Sequence, residues 1–282
     1  MSPLSHDELR IMLYPDRVAL LRLGRELTRR GLACDVRSSE VVHCAAAAGG
    51  DVPWSGALAA LEAALPEHAG RRTEAMVILS DHFVRYALLP WSDTLDGAAE
   101  ELIFARHCFK EIYGDVAESW ELRVNFPDRA GDQQLASAVD SGLLDALRDL
   151  FERAGVRLQS IQPHLMAAYN SCRATLHGCS AWLALLEPGN LSLALLQQGR
   201  WSRVRMMRIS SRWGEELPLI LQREAFLADF DVATSEVLLW APGLENVPLP
   251  EGGGWQIQKL EPVWWPGAEP AREGQCEMAL NG

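Results

Sequence analysis

The strongest restriction on this chain is a plan used at both ends: three consecutive strand-like runs, then a helix. Near the start, LRIMLY (9–14) and VALLRL (18–23) flank a Pro-Asp turn, and CDVRSSEVVHCA (34–45) supplies a third strand. A helix is expected over 54–65, where Leu58, Leu61, Ala64 and Leu65 recur at helical spacing, with Pro66 and Gly70 ending it. In the second half, AWLALLE and NLSLALLQ meet at Pro188-Gly189, WSRVRMMRI (201–209) is the third strand, and 214–227 is the helix. No repeat of sequence accompanies the plan, so what is doubled is architecture. The fold class this implies is α/β, built as two alike halves.

The stretch between the halves has its own elements. AMVILS (75–80) and VRYALLPW (84–91) read as another strand pair. Residues 98–113 form an amphipathic helix with Leu102, Phe109 and Ile112 on one side. Strands over 119–126 and 135–140, a helix over 141–154 stopped by Gly155, a strand over 156–163 and a short helix over 165–176 complete it. Beyond the strand at 236–242, Pro, Gly and Glu dominate around one further strand at 255–262, and the last fifteen or so residues are expected to be loosely held.

Composition excludes several function classes. A formal charge of −12 opposes a nucleic-acid scaffold, because phosphate binding needs surplus cations. Of 26 basic residues only Lys110 and Lys259 are lysines, and no Gly-rich Walker motif is present. The opening MSPLSHDELR is not a secretory leader, and charges, Gly or Pro break every apolar stretch well before about 18 residues. A cytoplasmic protein without membrane insertion is expected. Six cysteines at irregular spacing do not form a disulfide framework. Cys172, His177 and Cys179 lie close in sequence but lack a fourth ligand, as does His43-Cys44, so no metal is assigned. His82, His107 and His164 stand alone, and no nucleophile-elbow motif occurs, so no catalytic residue is named.

The middle of the chain resembles a known family. "AMVILSDHFVRYALLPW" followed by "AAEELIFARHCFKEIYGDVAESWELRV" looks like the inserted subdomain of the pilus-assembly protein PilM and of the cytoplasmic part of its secretion relative GspL. "LASAVDSGLLDALRDLFERAGVRLQSIQPHLMAAYN" resembles the next segment of that family, up to the short helix leading back to the core. The resemblance covers roughly residues 8–240 as a pattern without long invariant motifs. It implies an actin-like, ribonuclease H-like two-half fold with mixed sheets, helices on their faces and an inserted α+β subdomain. Residues 1–73 would be the first half, 74–155 the insert, 156–180 the return, 181–265 the second half and 266–282 a loosely ordered tail. It also implies a cytoplasmic scaffold of a type IV pilus or type II secretion platform. Such a scaffold binds the cytoplasmic tail of a PilN-like inner-membrane protein, and a motor ATPase is a further candidate partner. A GspL-like chain would run on into a transmembrane helix, so the lack of one favours the PilM side.

Actin-like ATPases hold phosphates between two hairpin turns whose backbone N–H groups face the anion. Here the first turn is Tyr14-Pro15-Asp16-Arg17 and the second Glu187-Pro188-Gly189-Asn190, each with a proline that offers no N–H. Neither ATP nor Mg is therefore expected. If a nucleotide binds, Asp16, Glu187, Gly189 and Asn190, with Ser192 as a further donor, are the candidates, and Gly243 in Ala241-Pro242-Gly243 would receive the adenosine. The degenerate turns point to a fold kept for binding.

For partner binding, the resemblance puts the tail in the groove between the first half and the insert, near VRYALLPW and the 98–113 helix. Val84, Tyr86, Leu88 and Trp91 are the residues there. Arg203 and Arg205 form a second candidate set. They share one face of a strand in the locally basic RWSRVRMMRISSR (200–212), which suits an acidic partner or anionic lipid, or pairs with the chain's own acids. Among ten tryptophans, Trp91, Trp182 and Trp240 sit in apolar strands and are expected in the core. Trp255, Trp264 and Trp265 lie in Pro/Gly-rich sequence and either join an interface or pack back on the domain.

Overall fold

In the computed structural model of the chain, the described residues are 7–28, 31–47, 52–70, 73–93, 95, 97–125, 131–228, 234–242, 248–250 and 253–260. Strands β1 (Asp7–Leu13), β2 (Arg17–Thr28) and β3 (Gly31–His43) come first, then helix α1 (Ser55–His68) and strand β4 (Glu74–Leu79). After a 3-10 turn at Asp81–Phe83 come β5 (Val84–Leu89), α2 (Ala98–Tyr113), β6 (Trp120–Val124) and β7 (Gln134–Asp140). Helix α3 (Ser141–Ala154), β8 (Arg157–Pro163), α4 (His164–Ser171) and α5 (Arg173–Leu176) follow. The last stretch holds β9 (Ala181–Glu187), β10 (Asn190–Gln197), β11 (Arg200–Arg208), α6 (Trp213–Leu227), β12 (Glu236–Trp240) and β13 (Gln256–Leu260).

These elements fall into two compact units, one drawing on Met1–Phe83 and Asp140–Ser171, the other on Val84–Val139 and Cys172–Glu261. The first unit carries a sheet ordered β3-β2-β1-β4-β8, and the second a sheet ordered β11-β10-β9-β12-β13. In the first, β1, β2 and β3 wind antiparallel, β4 lies parallel to β1 and β8 parallel to β4. In the second, β9, β10 and β11 wind antiparallel, β12 lies parallel to β9 and β13 parallel to β12. A parallel partner needs a crossover, supplied by α1 before β4 and by α6 before β12. The same order and directions occur twice, which is the doubled α/β plan the sequence predicts.

The cores follow from the patterns. Every residue of β9 is buried, as is all of β10 except Gln197, so these apolar runs are central strands covered on both faces. On one face Leu191, Leu193 and Leu195 pack with Trp182, Ala184 and Leu186 against Trp213, Leu217 and Leu221 of α6. Each such large side chain contributes about 1.5–3 kcal/mol. In the insert, Ala105 and Phe109 of α2 cover Ala87, Leu89, Leu122, Ala136 and Ala138 on the three-stranded sheet β5-β7-β6. The bounds of α3 are set chemically. Asp140 caps it by accepting from the Leu143 N–H at 3.2 Å, and Gly155 ends it at φ 64°.

Five local expectations are corrected. The runs at 75–80 and 84–91 do not pair: β4 lies between β1 and β8, whereas β5 pairs with β7, and the 3-10 turn redirects the chain between them. Pro66 does not end α1, which continues to His68. In the last turn a missing N–H costs a single bond to an exposed carbonyl, and His68 is held by Glu40 at 2.7 Å. The helix at 165–176 is two, broken at Cys172 after Ser171 Oγ bonds back to the Ala167 carbonyl at 2.8 Å. On α2, Phe109 is buried but Leu102 and Ile112 are exposed. The covered stripe is Ala105, Phe109 and Tyr113, the last stacked on Phe109 at 5.7 Å. Trp182 and Trp240 are core residues, but Trp91 is 37% exposed because β5 stops at Leu89 before it. Trp255 packs partly buried on the second core, while Trp264, Trp265 and the 266–282 tail lie outside the described residues.

Candidate functional site

The second hairpin turn joins β9 to β10 through Pro188 and Gly189, with Glu187 opposite Asn190. Gly189 has φ 79°, the left-handed geometry that the third residue of a Pro-Gly type II turn requires. Pairing register puts Glu187, Asn190 and Ser192 on the sheet face opposite α6, together with Leu183 and Leu185. All three polar side chains are buried. Neither Asn190 Nδ2 nor Ser192 Oγ has a hydrogen-bond partner among the described residues, and Arg208 of β11 is the cross-strand neighbour of Asn190. Among the described residues no base is hydrogen-bonded to the serine.

The first hairpin turn closes on itself. Tyr14 N–H donates to the Arg17 carbonyl at 2.9 Å, and the Arg17 guanidinium lies over the Tyr14 ring at 4.2 Å. The same guanidinium holds the Asp16 carboxylate at 3.0 Å and 3.2 Å. The Asp16 carbonyl accepts from Cys44 N–H at 2.9 Å. Burial first, and the nearby Asp16 charge second, push the Cys44 thiol up from its ordinary pKa. Thus Asp16 is engaged by its own neighbour. Gly243 lies outside the described residues.

The isolated histidines and cysteines have structural surroundings. His164 is buried, edge-on to Tyr14 at 6.3 Å, where α4 begins and Asp81 Oδ1 accepts from Leu165 N–H at 3.3 Å. Burial pushes the Cys172 thiol up to about 11, and Cys179 Sγ donates to the Thr175 carbonyl at 3.0 Å. Among the described residues, no three His, Cys, Asp or Glu side chains are grouped to hold a metal ion.

The candidate partner residues separate. Val84, Tyr86 and Leu88 alternate with Ala87 and Leu89, so they lie on the face of β5 turned away from α2. Val84 and Tyr86 are buried, Leu88 is half-buried and Trp91 is exposed, so only the last two offer surface. Arg203 and Arg205 do share one face of β11, the α6 side. Each lies 4.0 Å from Glu224 Oε2, and Arg223 reaches Glu224 Oε1 at 3.0 Å. Glu224 is buried and was not singled out from the sequence. The available signal is its phase: Trp213, Leu217, Leu221 and Glu224 fall on one helical stripe, so a carboxylate there must face the packed side.

No protein-family model and no curated protein matches this sequence. Solved structures do match. The cytoplasmic domain of EpsL, an inner-membrane component of the type II secretion system of Vibrio cholerae, aligns at 14% identity and TM-score 0.59, over 98% of this chain and 95% of that one. A chain of the PilM–PilN type IV pilus biogenesis complex aligns at 14% identity and TM-score 0.65, over 90% and 88%. A Bacteroides thetaiotaomicron protein of unknown function with an actin-like ATPase fold aligns at 12% identity and TM-score 0.51, over 86% and 84%. The chain has the actin-like ATPase fold. The β1–β2 and β9–β10 turns are the two hairpin turns at which the sequence would place phosphate contacts. In this chain each carries a proline, Pro188 in one and Pro15 in the other. No helix among the described residues is long and apolar enough to cross a membrane.

Proposed function

We propose that this chain is a non-catalytic, cytoplasmic scaffold of a type IV pilus or type II secretion platform, which binds a short cytoplasmic tail of a PilN-like membrane protein. The observation that carries the reading is likeness over nearly the whole length to two proteins of such machines, one of them a chain of a PilM–PilN complex. The two hairpin turns support the non-catalytic part. Pro15 and Pro188 remove N–H groups where phosphate would sit, and Arg17 occupies the Asp16 carboxylate. A scaffold needs neither turn chemistry nor a metal, only surface for an extended peptide. Leu88 and Trp91 are the members of the β5 set able to meet one.

The test is calorimetric titration of the intact chain with synthetic peptides spanning the cytoplasmic tail of a PilN-like protein from the same genome. Micromolar binding is expected, unchanged by Mg-ATP and weakened about tenfold by Trp91→Ala. A chain that ignores every such peptide but binds Mg-ATP, with the binding abolished by Glu187→Ala, refutes the scaffold reading. That outcome would favour a nucleotide-dependent switch instead, for which the buried Asn190 Nδ2 and Ser192 Oγ, without a partner among the described residues, are the relevant donors.

A further inference from the structure

Helix α6 has two apolar sides. One packs on the second sheet, and the other is Leu219, Phe226 and Leu227, exposed by 65%, 70% and 55%. Together with Arg223 these residues sit at i, i+4, i+7 and i+8, so they form one stripe within about 100° of helix surface, some two turns long. Arg223 connects the stripe to β11: its Nη2 lies 3.9 Å from Met207 Sδ and 3.0 Å from Glu224 Oε1. Arg203 and Arg205 approach the same carboxylate from the strand, and the side chains of Arg205 and Arg223 are more than half exposed. Among the described residues, three guanidinium groups therefore face one buried carboxylate, a local excess of positive charge in a chain of net charge −12.

We propose that this face, Leu219, Arg223, Phe226 and Leu227 of α6 with Arg205 of β11, docks an acidic amphipathic segment of a protein partner. Charge decides the occupant. Arg223 Nε and Nη2 both donate to Glu224 Oε1, at 3.3 Å and 3.0 Å, and Arg205 Nε lies 4.0 Å from Oε2. The remaining Nη donors of these two more than half-exposed side chains are therefore the ones that suit a partner's carboxylates, and the flanking apolar side chains require apolar groups next to those carboxylates. An anionic bilayer fits less well. It would meet far more of the molecule than this patch, and the rest of the chain is strongly acidic, whereas a single peptide helix lies along the patch, and charges more than one Debye length, about 8 Å, away from it are largely screened. The inference is independent of the scaffold reading, because it concerns a different face and uses none of Leu88, Trp91 or the hairpin turns.

The test uses the intact chain and a fluorescent helical peptide of about 18 residues, with leucines spaced one and two turns apart and glutamates flanking them. Its controls are a scrambled peptide, a peptide with lysine for glutamate, and vesicles with about one-third phosphatidylglycerol. The glutamate peptide should bind, weaken about tenfold between roughly 50 and 300 mM salt, and lose about tenfold again in Arg205→Ser/Arg223→Ser and in Leu219→Ser. Leu219→Ser changes a residue that is 65% exposed and should leave the melting temperature in place, which separates lost docking from lost folding. Binding no better than the scrambled peptide, or unchanged in these variants, overturns the proposal. So does binding to the vesicles that the glutamate peptide fails to displace, which would make the face a membrane contact.

Discussion

Ser192→Ala separates a retained fold from a retained reaction. Ser192 Oγ is fully buried on β10 and has no hydrogen-bond partner among the described residues. Stranding a hydroxyl in this way costs about 1–3 kcal/mol. Replacing it with a methyl group's hydrogen removes that penalty and opens a void of roughly 10 Å³, worth only about 0.2 kcal/mol at the usual cavity coefficient. The net expectation is a gain of about 1 kcal/mol, seen as a rise in melting temperature of about 2–4 °C by differential scanning fluorimetry. A working phosphate site would behave oppositely. There the hydroxyl would be a ligand donor, and Mg-ATP at about a hundredfold over its Kd would add about 2.7 kcal/mol, or several degrees, to the wild type and much less to the variant. Under the scaffold reading Mg-ATP moves neither protein. A destabilised Ser192→Ala, or an Mg-ATP shift that this substitution removes, refutes the reasoning.

Further outcomes can be checked separately. Gly199→Ala should destabilise the second unit by about 2 kcal/mol or more in urea unfolding. Gly199 has φ 78° beside Gln198 at φ 51° in the two-residue β10–β11 turn, and a Cβ would meet Gly178 N at 2.8 Å. Glu224→Gln should cost only about 1–2 kcal/mol rather than the larger penalty of a broken buried pair, because Arg205 and Arg223 are mostly exposed and water can solvate them. Cys172, with its thiol pushed to about 11 by burial, should resist iodoacetamide at pH 8 and react as pH rises toward 11, followed by peptide mass spectrometry. Its raised pKa also means that the protonated thiol is favoured in the fold: that contribution to stability is complete below the ordinary value of 9.0 and lost as pH climbs through about 11.

The doubled plan was legible because each half states it in unmistakable local chemistry. β9 and β10 are unbroken apolar runs joined by Pro188-Gly189, and α3 carries both its cap, Asp140, and its stop, Gly155. What escaped was what depends on long-range contact. The pairing of β4 with β1 and β8, separated by sixty or more residues at each contact, leaves no mark in AMVILS itself, so its sequence neighbour VRYALL was the natural partner to assume. The stripe on α2 was misjudged for a related reason. Apolar residues lie all around that helix, and only its seat over Ala136 and Ala138 selects Ala105 and Phe109 while leaving Leu102 and Ile112 in water. For the arginines the sequence showed that Arg203 and Arg205 share a face, but not the buried Glu224 that meets them from α6.

That last miss bears on how a scaffold of this fold would work. If the hairpin turns no longer bind phosphate, nothing in the chemistry requires the charged groups of the second unit to face a nucleotide, and they are free to organise a surface. The arrangement around Glu224 has that character. The buried Glu224 carboxylate holds Arg223 at 3.0 Å and draws Arg203 and Arg205 to 4.0 Å, so a partner's carboxylates would find donors gathered at one place and would lose less entropy in meeting them. Removing Glu224 should then have two opposed effects on the acidic probe: a more positive face that raises the association rate, and looser arginines that raise the dissociation rate. Kinetic measurement resolves them. A Glu224→Gln variant that speeds association without speeding dissociation means the carboxylate only offsets charge. If both rates rise, its role is to hold the arginines in place.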